Sequence, residues 1–124
     1  MKIYRGAKQG LNKMIGGSFY TEDYSIAESY ANLEEDGVVY EFNTSLKLFN
    51  ADNFLCASDI DEGIEIVIEE LEDFDSIFES FDGLYTQDGI QIILFGTIEN
   101  NNFTKQSFKD LMTDVNAETR RYDR

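Results

Sequence analysis

The residues best suited to chemistry lie in the first forty positions of this 124-residue chain. Tyr4-Arg5-Gly6 carries a guanidinium, whose planar fork of donors is the side-chain shape that best makes bidentate contact with phosphate. Gly16-Gly17-Ser18-Phe19-Tyr20-Thr21 follows, and Tyr30 comes ten residues after Tyr20. Aromatic faces of this kind stack favourably on cationic rings. No other part of the sequence points as clearly to chemistry.

Both groups also have a purely structural interpretation, in which Arg5 is a surface residue at a strand end and the tyrosines are core residues with wet hydroxyls. Composition limits other chemistry, because the chain has no histidine and one cysteine. Cys56 has no partner for an internal disulfide and no histidine to activate it, so we expect it to be buried. The carboxylates follow helical surface spacing, so no metal site is predicted.

The elements that position these groups are predicted from hydrophobic patterning. A helical turn is expected around Leu11–Ile15, and Thr21 or Asp23 can cap a helix that runs to about Asn32. Four strands are predicted in this half of the chain, at residues 2–5, Ser18–Tyr20, Val38–Asn43 and Leu46–Phe49.

The second half begins with an acidic helical segment over about 58–81. It is predicted from apolar residues at steps of three and four, namely Ile60, Ile64, Val67, Leu71, Phe74, Phe78 and Phe81. Carboxylates at 69–75 do not suit the middle of one helix, so we expect two helices that meet near residues 72–76.

The rest of the chain is predicted to return to strands and then to a last helix. Leu84-Tyr85 is expected to be extended, and Asp88-Gly89 predicts a hairpin turn into a central strand at Ile90–Phe95. After a polar loop at Glu99–Asn102, Thr104 is expected to cap a C-terminal helix over about 104–117. A frayed tail, 118–124, is expected to follow.

The order of these elements resembles the ADP-ribosyltransferase superfamily over about residues 2–97, and the spacing of Tyr20 and Tyr30 resembles its diphtheria-toxin-like branch. The resemblance implies an α+β fold formed by a single domain over residues 1–124, with the segment at 58–81 as an insertion. In that fold, a split pair of small, mostly antiparallel sheets with flanking helices grips NAD.

The resemblance also implies a role for each group near the amino terminus. Arg5, between Tyr4 and Gly6, would bind the phosphates or the nicotinamide ribose of NAD. Tyr20 and Tyr30 would sandwich the nicotinamide ring. The remaining candidates for NAD binding are Tyr4 and Gly6, on either side of Arg5, and Ser18, Phe19 and Thr21. Ser18 or Thr21 would instead stand for the serine and threonine of the toxin class that uses arginine on its first strand.

The catalytic glutamate of the family is the main departure, because the alignment puts Gln91 in its place. A glutamine can hydrogen-bond a ribose hydroxyl, but it supplies no negative charge against the positive charge that develops as nicotinamide leaves. Asp88 is the nearest carboxylate that would substitute. The predicted catalytic residues are therefore Gln91, Asp88 and Arg5.

Net charge is the other strong feature, at −15 with no lysine or arginine between Lys47 and Lys105. This field repels nucleic acid and attracts a protein with a basic surface, so no direct nucleic-acid binding is expected. A plain solvated acidic face that keeps the protein soluble is the other interpretation. No basic-then-apolar leader and no long apolar run is present, so we expect a cytoplasmic protein that does not bind a membrane.

Two functions therefore stay open at the level of sequence. The first is an NAD-dependent mono-ADP-ribosyltransferase, a small phage- or toxin-like effector that modifies a basic nucleic-acid-binding protein. The second is a non-catalytic acidic inhibitor that binds a basic partner surface as a nucleic-acid mimic. The second function would depend on carboxylates such as Glu65, Glu69, Glu72 and Asp73, rather than on Arg5 and Tyr20.

Overall fold

The computed structural model describes residues 2–14, 19–55, 64–86 and 91–114. These ranges form a mixed α+β structure. The strands are β1 (Lys2–Lys8), β2 (Lys13–Met14), β3 (Phe19–Tyr20), β4 (Gly37–Asn43), β5 (Leu48–Asn50), β6 (Gly83–Thr86), β7 (Gln91–Leu94), β8 (Gly96–Glu99) and β9 (Asn102–Lys105). The helices are α1 (Tyr24–Ala31), α2 (Ile64–Glu70), α3 (Phe74–Ser80) and α4 (residues 108–114).

The strands form three small sheets. β1 pairs with β4, β8 lies between β2 and β9, and the largest sheet has the order β3-β7-β6-β5. Every pairing is antiparallel except β5 with β6. A bridge between Tyr4 and Thr21 joins the first sheet to the largest one. The predicted α+β class with small, mostly antiparallel sheets is therefore confirmed.

One continuous run of backbone serves two of these sheets. β7 lies between β3 and β6, as predicted for a central strand, and β8 follows it after Phe95. Phe95 donates its N–H to the carbonyl of Asp82 at 2.8 Å and accepts from the N–H of Gln106 at 3.0 Å. The bend between the sheets therefore leaves no backbone group of Phe95 unsatisfied.

The largest sheet separates two hydrophobic clusters, one on each face. One face packs against α2, α3 and α4 through Leu84, Ile93, Val67, Phe74 and Leu111. The other face packs against β1 and β4 through Tyr20, Ile92, Leu94, Ile3 and Phe42. Strand residues alternate between the two clusters, which is the period of two that a sheet buried on both faces requires.

Helix α1 begins at a capping aspartate and lies very close to the first sheet. Asp23 accepts from the N–H of Ser25 at 2.9 Å and from its hydroxyl at 2.6 Å, and these bonds hold the Asp23 pKa below its usual range. A Cβ on Gly6 would lie 1.9 Å from the Ala27 carbonyl oxygen. The helix can therefore reach the strand only because that position has no side chain.

The acidic segment forms two helices, as predicted. Helix α2 ends at Glu70 and α3 begins at Phe74, so the interruption covers Leu71–Asp73. Leu71 and Phe74 are both buried, which keeps the apolar stripe continuous across the break. The part of the predicted segment over 58–63 lies outside the described residues. None of the helices in the described ranges is both long and apolar enough to cross a lipid bilayer.

Two sequence predictions are wrong at the edges of the small sheets. The helical turn expected around Leu11–Ile15 is instead β2, whose Met14 is buried where it pairs with Ile98 of β8. The segment is extended because its Met14 side chain is buried at the edge of the sheet. A strand of two residues is too short to show the alternation of apolar and polar residues that predicts a strand.

The expected loop at Glu99–Asn102 is a tight hairpin between β8 and β9. Asn100 and Asn101 turn it with positive φ of 53° and 64°, a backbone conformation that asparagine adopts more readily than most residues. Thr104 therefore lies in β9 and does not cap a helix. Helix α4 starts later, at residue 108, and the Ser107 hydroxyl accepts from the N–H of Asp110 at 3.1 Å. The turn at Asp88-Gly89 and the tail 118–124 lie outside the described residues.

Replacing Gly37 with alanine should destabilise the fold. A Cβ there would lie 1.7 Å from the carbonyl oxygen of Ala31, so the end of α1 would have to move away from β4. We expect Gly37→Ala to lower the free energy of unfolding by about 1–3 kcal/mol in a urea titration. Asp36→Ala, at the exposed neighbouring position, is the control and should change it little. Equal stability of both variants would contradict the close packing of α1.

Candidate functional site

The candidate site lies where β1 and β3 separate. Within the described residues they share one bridge, in which Tyr4 donates to the Thr21 carbonyl at 2.7 Å and Thr21 donates to the Tyr4 carbonyl at 3.0 Å. A continued ladder would pair Gly6 with Phe19 next. Instead, Arg5 Nη1 donates to the Phe19 carbonyl oxygen at 3.1 Å. The Arg5 side chain thus donates to a carbonyl that would accept from a backbone N–H if the strands stayed paired.

The separation opens a cleft of ≈ 350 Å³ between β1, β3 and α1. Small-molecule sites usually fall between about 300 and 1,000 Å³, so its volume suits a small ligand or one part of a larger ligand. Its lining residues are Tyr4, Arg5, Gly6, Phe19, Thr21, Ala27, Tyr30, Leu33 and Glu34.

Aromatic rings form one wall of this cleft. The ring centroids of Phe19 and Tyr30 are 5.0 Å apart, with the planes tilted by 46°. Tyr30 is 40% exposed, so part of its ring remains accessible. Tyr4 meets Tyr24 edge to face at 5.4 Å just outside this pair. The wall therefore offers aromatic surface to a flat ring.

Tyr20 does not belong to that wall. It is 0% exposed and packs against Phe42 at 6.1 Å between ring centroids, on the opposite face of the sheet. Side chains alternate along a strand, so Phe19 and Thr21 take the cleft face and Tyr20 takes the core face. The predicted pair of Tyr20 and Tyr30 is therefore wrong, and Phe19 is the ring that accompanies Tyr30.

Arg5 lies over the buried ring of Tyr20, with 5.9 Å from its guanidinium carbon to the ring centroid. Burial raises the pKa of the Tyr20 hydroxyl above its ordinary value of 10.0, although the Arg5 charge acts in the opposite direction. In the described part of the chain, the Tyr20 hydroxyl and Arg5 Nε are both buried without a hydrogen-bond partner. Two polar groups beneath the cleft thus remain unsatisfied.

Thr21 lies at the floor of the cleft and is fully buried. Its hydroxyl oxygen accepts from the N–H of Asp23 at 3.0 Å, directly before α1. Thr21 therefore positions the start of the helix beneath the cleft.

Gln91 stands in the same row of the sheet as the cleft residues. Tyr4 forms a bridge with Thr21. If the register of β3 with β7 is extended by one residue past the pair of Tyr20 and Ile92, Gln91 lies opposite Thr21. On its other side, Gln91 pairs with Thr86 of β6. Gln91 is 7% exposed, and its Oε1 accepts from the Thr86 hydroxyl at 2.9 Å. It therefore lies next to the floor of the cleft, on the face of the sheet that Phe19 and Ile93 share. Ser18 and Asp88 lie outside the described residues.

The charges of the cleft come from two side chains. Arg5 has no carboxylate within 4.0 Å in the described ranges, and Glu34 is the acidic residue among the cleft-lining side chains given above. Sequence reasoning missed Glu34, Leu33 and Ala27. Steps of three and four join Ala27, Tyr30 and Glu34, so the helical period would have found them. Across the described residues, no group of three histidine, cysteine, aspartate or glutamate side chains is placed to hold a metal ion.

Comparison with protein-family models, with curated proteins and with solved structures found no match for the chain. Function is therefore inferred from the geometry of this cleft and from the surface charge.

Replacing Tyr20 with phenylalanine should raise stability or leave it unchanged at pH 7, because it removes a buried hydroxyl that has no partner. The raised pKa means that the folded state favours the neutral phenol. The stability that comes from keeping the Tyr20 phenol protonated in the folded state is therefore fully present below pH 10 and is lost as the pH rises further. Tyr20→Phe should lose less stability than the parent between pH 9 and about 11 in urea titrations.

Tyr24→Phe is the matched control, because Tyr24 is 52% exposed. It should keep the pH dependence of the parent protein. A marked loss of stability at pH 7 in Tyr20→Phe would show that the Tyr20 hydroxyl has a partner.

Proposed function

We propose that the chain is an NAD-dependent mono-ADP-ribosyltransferase that modifies a protein. The observation that carries this proposal is the cleft between β1 and β3, which is lined by Arg5 and by the rings of Phe19 and Tyr30. NAD combines a pyrophosphate with a cationic nicotinamide ring. These are the two groups that a guanidinium and an aromatic wall recognise.

The donors of Arg5 fit an anionic ligand. One N–H of Arg5 is used on the Phe19 carbonyl, and no carboxylate within the described ranges neutralises the charge. Fixing the guanidinium to the strand also reduces the entropy that a ligand would have to remove. A phosphate in the cleft would pair with this uncompensated charge.

The aromatic wall fits the nicotinamide end. A cationic ring placed on the accessible face of Tyr30 gains about 0.5–2 kcal/mol. Phe19 contacts Tyr30 with 5.0 Å between ring centroids and also lines the cleft, so the two rings form one aromatic surface. Phe19 and Tyr30 take the role that the sequence assigned to Tyr20 and Tyr30.

The reaction proposed for this cleft is transfer at C1′ of the nicotinamide ribose. The bond from C1′ to the nicotinamide nitrogen breaks, and its electron pair leaves with neutral nicotinamide. A nucleophile of the acceptor protein then forms a bond to C1′ with its lone pair and loses a proton. Arg5 holds the phosphates, and Gln91 orients a ribose hydroxyl from the adjoining row. Asp88, three residues before Gln91 in the sequence, remains the candidate proposed for the carboxylate that stabilises the positive charge on the ribose.

The acceptor is proposed to be a protein with a basic surface. The net charge of −15 favours such a partner and disfavours nucleic acid. The proposed acceptor is a basic nucleic-acid-binding protein, and the chain itself is proposed to be a small phage- or toxin-like effector.

NAD binding tests the proposal directly. Calorimetric titration should give micromolar affinity, and Arg5→Ala should weaken it about tenfold to a hundredfold, since hydrogen bonds to charged groups contribute about 1.5–3 kcal/mol. Tyr30→Ala should weaken it severalfold through loss of stacking. Ser29→Ala is the control, because Ser29 is exposed on the same helix but outside the cleft, and it should bind normally. Absence of NAD binding by the folded parent protein would overturn the proposal.

Restoring the carboxylate at position 91 tests the catalytic assignment. Gln91→Glu should raise the rate of nicotinamide release by about tenfold or more, because a negative charge then opposes the charge developing on the ribose. The Thr86 hydroxyl can still donate to the new side chain. Gln91→Met, of similar volume, should reduce release. Normal NAD affinity with no change in rate for Gln91→Glu would show that position 91 is remote from C1′.

The alternative function, an acidic inhibitor that mimics nucleic acid, needs none of the cleft residues. It predicts salt-sensitive binding to a basic protein that survives Arg5→Ala and fails when Glu65 and Glu69 are reversed to lysine. NAD titration of the parent protein therefore separates the two functions before any partner is known.

A further inference from the structure

A second cavity, of ≈ 500 Å³, lies where α2 ends and α3 begins. We call it the junction cavity. Its lining residues are Phe49, Asn53, Phe54, Glu70, Leu71, Glu72, Asp73 and Ile77. It shares no lining residue with the cleft that holds Arg5.

The inner part of the junction cavity is apolar. Phe49 of β5 stacks on Phe54 with centroids 5.9 Å apart and planes within 28°. A turn fixes Phe54 there, because its N–H donates to the Ala51 carbonyl at 3.0 Å. Phe54 nevertheless stays 59% exposed, while Leu71 and Ile77 are buried beneath it. An accessible aromatic face over an apolar floor is a surface that a partner can cover.

The rim of the junction cavity is acidic. Glu70, Glu72 and Asp73 are exposed, and in the described ranges none of them has a basic group within 4.0 Å. The nearest lysines in the sequence are used elsewhere. Lys47 lies over the Phe81 ring at 5.1 Å, and Lys105 donates to the carbonyls of Phe78 and Glu79.

The electrostatic environment at this rim is unfavourable in the protein alone. The carbonyl end of a helix carries partial negative charge and favours cations, yet the last turn of α2 contains no basic residue and ends in Glu70. A cation placed at the rim would relieve repulsion among the carboxylates and between them and the helix end. The site therefore has both the shape and the charge to accept a cation on an apolar stem.

We propose that the junction cavity binds an arginine side chain from a basic segment of a partner protein. The methylene stem lies along Phe49 and Leu71, and the guanidinium stacks on Phe54. The guanidinium then makes bidentate contact with Glu72 or Asp73. Arginine fits better than lysine, because only a planar fork can stack on a ring and pair with a carboxylate together.

The partner would be the acceptor protein of the proposed transferase, and to that extent this inference rests on the proposed function. Binding itself requires no NAD and no residue of the cleft. A failure here would leave the NAD experiments intact, and a failure of NAD binding would leave this site in place.

The test uses fluorescence anisotropy with the full chain and a short labelled peptide of arginine and leucine. The parent protein should bind it, with affinity that falls as salt rises. A counterpart with neutral citrulline for each arginine should bind at least tenfold more weakly, and a lysine counterpart severalfold more weakly. The double variant Glu72→Gln with Asp73→Asn should also lose at least tenfold, and Phe54→Ala should lose severalfold.

Matched controls separate this site from general acidity. Glu28→Gln with Asp36→Asn removes the same charge from exposed positions elsewhere, and Leu11→Ala removes another exposed apolar side chain. Asp73 is the N-cap residue of α3 but its side chain makes no capping hydrogen bond, so the double variant should remain folded. Equal losses in the rim and control variants would overturn the proposal.

Discussion

The candidate site depends on the point where β1 and β3 stop pairing. One bridge, Tyr4 to Thr21, holds the two strands together, and beyond it the hydrogen bond from Arg5 to the Phe19 carbonyl replaces the backbone ladder. If the ladder continued, Gly6 would pair with Phe19 and the cleft would close. Because the ladder stops, β1 remains paired with β4 and packed against α1, while β3 remains paired with β7. The two parts of the α+β structure then diverge around an arginine.

Helix α1 makes this divergence possible by lying unusually close to the first sheet. Gly6 and Gly37 remove the two side chains that would hold the helix away, and Ala27 and Ala31 present a flat surface to them. The same helix carries Tyr30 and leads to Glu34, so the packing that stabilises the fold also sets the depth of the cleft. Fold and site are therefore constrained by the same small residues.

The sequence predicts the long, strongly patterned elements well. The alternation in β4, the short β-branched run of β7 and the steps of three and four in α2 and α3 give the right element types, and the break near residue 72 follows from the carboxylates. The two-residue strand β2 is different, because its state depends on neighbours distant in sequence, and it was predicted as a helical turn. The strand state of β3 was predicted correctly, but a strand this short does not show which of its side chains enters the core, so the role predicted for Tyr20 was wrong. The hairpin at Asn100-Asn101 lacks the glycine that usually signals such a turn.

The run from β7 through Phe95 to β8 also links two distant parts of the molecule. Phe95 uses its N–H on Asp82 and its carbonyl on Gln106, so the bend cannot open without the loss of one of these bonds. Gln91 begins this run, and the β8–β9 hairpin completes it. A single stretch of backbone, bonded on both sides at Phe95, therefore joins the β8–β9 hairpin to the row of side chains beside the cleft.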